Sequence, residues 1–108
     1  MKFKNKTILV TGSSRGIGKA IAIAFAQEGA NVGVNYVKDK TAADAVVAKI
    51  KKLGGDAIAI QADVANENDV KRMVNETAKH FGAIDILVNN AGIVFDVPIL
   101  EKTTEQWE

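Results

Sequence analysis

The stretch TGSSRGIG, residues 11 to 18, places glycines at 12, 16 and 18 directly after a β-branched apolar run and directly before a helical pattern. In a strand-to-helix turn, glycine reaches backbone angles closed to other residues. It also lets the main chain approach a phosphate, whose charge is favoured by the free N–H groups of the helix that follows. The chemistry of such a turn is anion holding, with a pyrophosphate the natural occupant. A glycine-rich turn that serves packing alone is the structural alternative; the place of this one in the first strand–helix unit favours the first reading. Two further polar groups fall at strand ends, Asp63-Val64 and the run Asn89-Asn90-Ala91-Gly92. Taken singly, each is also an ordinary turn signal, since aspartate and asparagine satisfy local backbone groups.

Tyr36-Val37-Lys38-Asp39-Lys40 has a spacing that would matter on a helix, where a lysine four residues after a tyrosine lowers the phenol's pKa and readies it as a proton donor. Here the tyrosine closes an apolar run that reads as a strand, and in an extended chain residues four apart are separated by about 13 Å. The match therefore reads as an accident of spacing. His80, in AKHFG near a helix end, is expected at the surface, favoured by the helix dipole. Met73 fits a core pattern. With no cysteine and one histidine, disulfides and thiolate chemistry are excluded and a zinc site of nitrogen and sulfur ligands is disfavoured.

Four strands alternating with three helices must position these groups. Thr7–Thr11 is a strand, and residues 16–28 a helix with Ile17, Ile21, Ala24 and Phe25 at helical spacing, closed by Gly29. Asn31–Tyr36 is a second strand. A helix over 41–53 follows, carrying Val46, Val47, Ile50 and Leu53 and stopped by Gly54-Gly55. Residues 57–62 form a third strand, residues 66–81 a helix with Val70, Met73, Val74, Thr77 and Phe81 on one face, and Ile86-Leu87-Val88 a fourth strand. Near-continuous apolar strands separated by amphipathic helices predict an α/β fold: a Rossmann-like parallel sheet, βαβαβαβ, with helices on both faces. At 108 residues and 47% hydrophobic content, the chain has room for one domain, residues 1–108. A net charge of +1 with scattered lysines gives no electrostatic footprint for nucleic acid or an anionic membrane. The apolar stretch near the N-terminus, about five residues, is far below the ~20 that span a bilayer, and a cytoplasmic protein is expected.

In this order, TGSSRGIG, Asp63-Val64 and NNAG resemble the short-chain dehydrogenase/reductases, in particular the 3-oxoacyl-acyl-carrier-protein reductase-like members. The glycine spacing is that family's TGxxxGIG, and the resemblance runs the length of the chain, although GIVFDVPIL at 92–100 departs from the tail typical of those reductases. The resemblance implies a nicotinamide cofactor and hydride transfer between carbonyl and alcohol. Carried over by position, Gly12, Gly16 and Gly18 match the pyrophosphate turn, with Ser14, Arg15 and Ile17 lining the same pocket. Asp63 matches the carboxylate that accepts from the adenine amino group, and Val64 a neighbouring backbone donor. Asn90, Ala91 and Gly92 match the stretch beside the adenosine ribose. Members preferring NAD commonly carry an acidic residue at the end of strand 2, which would repel a 2′-phosphate. Tyr36 stands there instead, with Arg15, Lys38 and Lys40 nearby, so NADP is the expected cofactor and NAD the less favoured one.

The family's catalytic serine, and its tyrosine and lysine on one helix after a fifth strand, have no counterpart in this chain. TTEQWE, residues 103–108, matches the first turn of the family's fourth helix. The expectation is a truncated, NADP(H)-binding N-terminal half of a short-chain oxidoreductase, inactive alone, with a homo-oligomer expected and a carbonyl or alcohol substrate only in the intact parent. A stand-alone nucleotide-binding or regulatory module, and one half of a split reductase, are the alternatives.

Overall fold

The computed structural model describes residues 2–90. Its elements are β1 (Thr7–Val10), α1 (Gly16–Gln27), β2 (Asn31–Tyr36), α2 (Lys40–Lys52), β3 (Asp56–Gln61), α3 (Glu67–Phe81) and β4 (Ile86–Val88). The expected tail from Ile93, and the helix start at 103–108, lie outside the described residues. The four strands form one parallel sheet in the order β3-β2-β1-β4. The chain therefore steps outward from β1 to β2 and β3, then returns across the sheet to place β4 on the other side of β1. That reversal makes a topological switch point at the carboxyl ends of β1 and β4, where open α/β sheets bind their ligands.

Strand residues alternate between two cores. Ile8, Val10, Val32 and Val34 pack with α1 and α2 on one face, through Ala22, Ala26, Ala43, Val46 and Ile50. Leu9 and Ile60 pack on the other face with Val70, Met73, Val74 and Ala78 of α3. A sheet buried on both faces explains why its strands are apolar throughout rather than alternately. Gly33 in β2 lies beneath α3, where an added Cβ would stand 2.8 Å from Leu9 Cδ1 and 3.2 Å from Thr77. Only a residue without a side chain lets α3 settle that close.

Helix ends fall within a residue of the expected ones. Gly29, Gly54 and Gly82 all have positive φ just past their helices, as glycine stop signals require. The inward face of α1 differs from expectation. The pattern points to Ile17, Ile21, Ala24 and Phe25, yet the fully buried positions are Gly18, Ala22 and Ala26. Ile17 is 75% exposed, Ala24 is exposed, and Ile21 and Phe25 are half-buried at the flank. The reason is proximity: α1 lies so near the sheet and its preceding turn that only small residues fit beneath it, and larger side chains are displaced sideways. Leu53 is likewise 39% exposed, whereas Val70, Met73, Val74 and Thr77 are buried as expected.

Candidate functional site

The glycine turn leaves β1 at Thr11, whose N–H donates to Val88 O at 3.0 Å, so the turn starts pinned to β4. Gly12 and Gly16 have φ of 60° and 62°, in the region that excludes most side chains. Gly16 and Gly18 then serve different ends. A Cβ on Gly16 would meet nothing within 4 Å, so Gly16 supplies backbone shape beside open space. At Gly18 a Cβ would stand 2.2 Å from Gly12 O and 2.7 Å from Asn90 Nδ2, so Gly18 supplies close approach of helix to turn.

The N-terminus of α1 is unlike the other two. Asp39 caps α2 by accepting from Ala42 N–H at 2.9 Å, and Asn66 caps α3 by accepting from Asp69 N–H at 3.0 Å. Arg15 at the N-cap of α1 makes no side-chain cap, and the first turn carries no acidic residue. Those N–H groups therefore favour an anion, with the helix dipole adding to the attraction.

Beside this turn opens a cleft of about 510 Å³, walled by Gly12, Ser14 and Arg15 on one side and by Tyr36, Val37, Lys38 and Asp39 on the other. The fold thus brings together five of the residues expected at the site: Gly12, Ser14, Arg15, Tyr36 and Lys38. Lys40, expected to add positive charge there, does not line the cleft. It opens α2, and its ammonium sits 2.9 Å from Asp44. That hydrogen bond first, then the charge of Asp44, holds the lysine above its ordinary pKa. Tyr36 at a strand end and Lys40 on the next helix form no tyrosine–lysine pair on a shared helical face. Asp39 adds a carboxylate to the wall, with one oxygen engaged in capping α2.

The remaining expected residues stand apart from the cleft. Ile17 lies exposed on the first turn of α1. Asp63 is exposed just past β3, where Oδ1 accepts from Ala65 N–H at 2.9 Å in a local turn, and the Asp63 N–H donates to Asp69. The Val64 side chain packs into the core beneath α3. Asn90 Nδ2 donates to Gly12 O at 3.3 Å, tying the end of β4 to the turn. Ala91 and Gly92 lie outside the described residues. His80 is exposed and meets the Phe81 ring edge-on at 4.6 Å. Among the described residues no helix is long and apolar enough to cross a membrane.

Ser13 and Asn35, which sequence reasoning passed over, are the most buried polar residues of the site, at 0% and 1% exposure. Asn35 Oδ1 accepts from Gly12 N–H at 2.8 Å, while its Nδ2 donates to Ala62 O at 3.1 Å and Ile60 O at 3.3 Å. Ser13 Oγ accepts from Asn35 N–H at 2.9 Å and donates to Val10 O, and Ser13 N–H donates to Asn35 O at 3.0 Å. An asparagine directly after the apolar run Val32–Val34 of a central strand was the available signal, because a buried amide must find partners.

This arrangement has known counterparts. The family model for short chain dehydrogenase matches residues 6–108. A 3-oxoacyl-(acyl-carrier-protein) reductase FabG from Staphylococcus epidermidis is 49% identical over 104 residues, which cover 96% of this chain and 43% of that protein. A 3-oxoacyl-(acyl-carrier-protein) reductase from Synechocystis sp. is 54% identical, with 93% of this chain and 40% of that protein covered. Among solved structures, a short chain dehydrogenase from Burkholderia cenocepacia in complex with NADP superposes with a TM-score of 0.83 at 49% identity, over 98% of this chain and 43% of the other. The chain thus spans about two fifths of the length of the curated relatives it matches. On the matched model, the shared sheet and these identities, the chain belongs to the short-chain dehydrogenase family of oxidoreductases.

Proposed function

We propose that this chain is the NADP(H)-binding portion of a reductase that interconverts a carbonyl and an alcohol, and that residues 1–108 form one incomplete dinucleotide-binding domain. The observation that carries the cofactor reading is the cleft itself. An uncapped helix N-terminus adjoins it, Arg15 and Lys38 line it, and Tyr36 occupies the β2 end where an acid would repel a 2′-phosphate. The NADP complex of the Burkholderia cenocepacia relative supports the same choice.

The residues present fit the group. In this reading Gly12, Gly16 and Gly18 shape the turn that holds the pyrophosphate, and Ser14, Arg15 and Ile17 flank it. Tyr36 and Lys38 receive the 2′-phosphate side, Asp63 and Val64 the adenine, and Asn90, Ala91 and Gly92 the ribose. A bound nicotinamide supplies or accepts the hydride. What this chain contributes is binding and orientation, because its single tyrosine lies at a strand end and cannot share a helical face with a lysine. No proton donor is positioned by the described residues, and we infer that the chain alone is inactive.

The second reading, a nucleotide-binding module without chemistry of its own, shares the cleft and differs in the catalytic residues supplied by the intact protein. Association of copies is expected through β4, which pairs with β1 on one side only among the described residues. Titration calorimetry tests the central claim: NADP should bind at least about tenfold more tightly than NAD, the scale of one charge-assisted interaction. Equal or reversed affinity overturns it.

A further inference from the structure

The Asn35 amide spans the seam between the two halves of the cleft. Its oxygen holds Gly12 N–H of the glycine turn at 2.8 Å, and its nitrogen holds the Ile60 and Ala62 carbonyls, the last residues before Asp63. Tyr36 follows it directly, and the Tyr36 carbonyl accepts from Ala62 N–H at 3.0 Å. Ser13 closes the bracket from the turn side, exchanging two hydrogen bonds with the Asn35 backbone. The glycine turn and the ends of β2 and β3 are thus joined by one side chain at 1% exposure, which is too deep to touch a ligand itself.

We propose that Asn35 is a positioning residue. It fixes the distance between the pyrophosphate turn and the Tyr36–Lys38 rim, so that one dinucleotide engages both together. The physical reason is effective concentration. Two subsites held at the right span turn the second contact into an intramolecular event, and the gain disappears when the span is wrong even though each subsite is intact. A buried network with every member satisfied is the means by which a fold holds such a span rigid. Gly12 alone could not hold it, because its positive φ shapes the turn without tying it to β2 or β3.

The inference rests on the cofactor reading above, and the experiment separates the two. Asn35→Ala in the full chain is compared with the unsubstituted chain for binding of NADP, which bridges turn and rim, and of adenosine 2′-monophosphate, which reaches the rim alone. The expected result is a loss of about tenfold or more in NADP affinity, with adenosine 2′-monophosphate changed by less than about twofold. Hydrogen exchange at the Gly12 amide should quicken while exchange at the Ala57 amide, in the buried core, is unchanged. Equal losses for both ligands, or an unaltered Gly12 amide, overturn the positioning role. If the unsubstituted chain binds adenosine 2′-monophosphate and NADP equally well, no span is being used and the inference fails while the 2′-phosphate pocket stands. If it binds neither, the cofactor reading fails and takes this inference with it. Should Asn35→Ala not fold, Ser13→Ala retains the amide and removes only the hydroxyl bonds. It should show the same split between ligands at smaller size, and a uniform loss there overturns the proposal.

Discussion

Asn90 Nδ2 and Gly12 O lie 3.3 Å apart across 78 positions of sequence, and the helical residue Gly18 packs against both. Strand end, glycine turn and helix start therefore meet at one point, with no room for another carbon atom. Gly18→Ala should destabilise the chain by about 1–3 kcal/mol, the usual result of forcing extra atoms into a packed site, and should abolish NADP binding. Gly16→Ala meets open space and carries only the left-handed backbone penalty of about 1–2 kcal/mol. Urea unfolding of the two variants, with calorimetry, should show the greater loss of binding at Gly18.

Arg15 and Lys38 both line the cleft as exposed cations. Arg15→Ala and Lys38→Ala should each narrow the preference for NADP over NAD by about three- to tenfold with little change in stability, because exposed charges contribute mainly to the ligand. Raising the salt concentration should narrow it in the unsubstituted chain as well. Competition titrations at two ionic strengths check both statements.

Asp39 is expected to act in opposite directions on folding and binding. Asp39→Ala removes the cap from α2, at a cost of about 1 kcal/mol, and also removes the carboxylate that the described residues bring to the cleft wall. Thermal unfolding should shift downward while NADP affinity rises. A fall in both would assign the carboxylate to cofactor binding instead.

The purified chain should oxidise no NADPH with ketones, aldehydes or acyl thioesters above background. On the proposed reading the described residues position no general acid, whose help alone is commonly worth ~10²–10⁴ in rate. Tyr36→Phe should alter cofactor affinity and leave any chemistry restored by an added C-terminal half unchanged at saturating cofactor. If the isolated chain turns over and Tyr36→Phe abolishes it, the Tyr36–Lys40 spacing is the active site after all. Spectrophotometry of the reduced nicotinamide decides the matter.

The sheet and its helices were legible because each strand is a nearly unbroken apolar run and each helix ends on a glycine that turns the chain at positive φ. The face of α1 was not. Periodicity weighs large side chains, and here the inward positions had to be Gly18, Ala22 and Ala26 for the helix to fit. In the site, the glycine turn was expected from order and spacing and Tyr36 from the family resemblance, and the fold sets both on one cleft. Lys40 pairs with Asp44 one helical turn away, a partner that charge near a site in sequence does not reveal. Asn35 and Ser13 were passed over for a different reason: a polar letter in an apolar strand says that partners must exist, but those partners are backbone atoms, which every residue possesses.

The sheet order also sets a timetable for folding. Ile8 pairs with Val32 on one side and with Ile86 on the other, so the loop closed by β4 is roughly three times longer than the one closed by β2. On the logarithmic scaling of loop closure this difference amounts to about 1 kcal/mol of chain entropy. β1, β2 and β3 should then assemble early, and β4 should dock late onto a preformed edge. On a ribosome, where the N-terminal strands emerge first, β1 would wait with that edge open until the chain has grown by another fifty residues or so after β2.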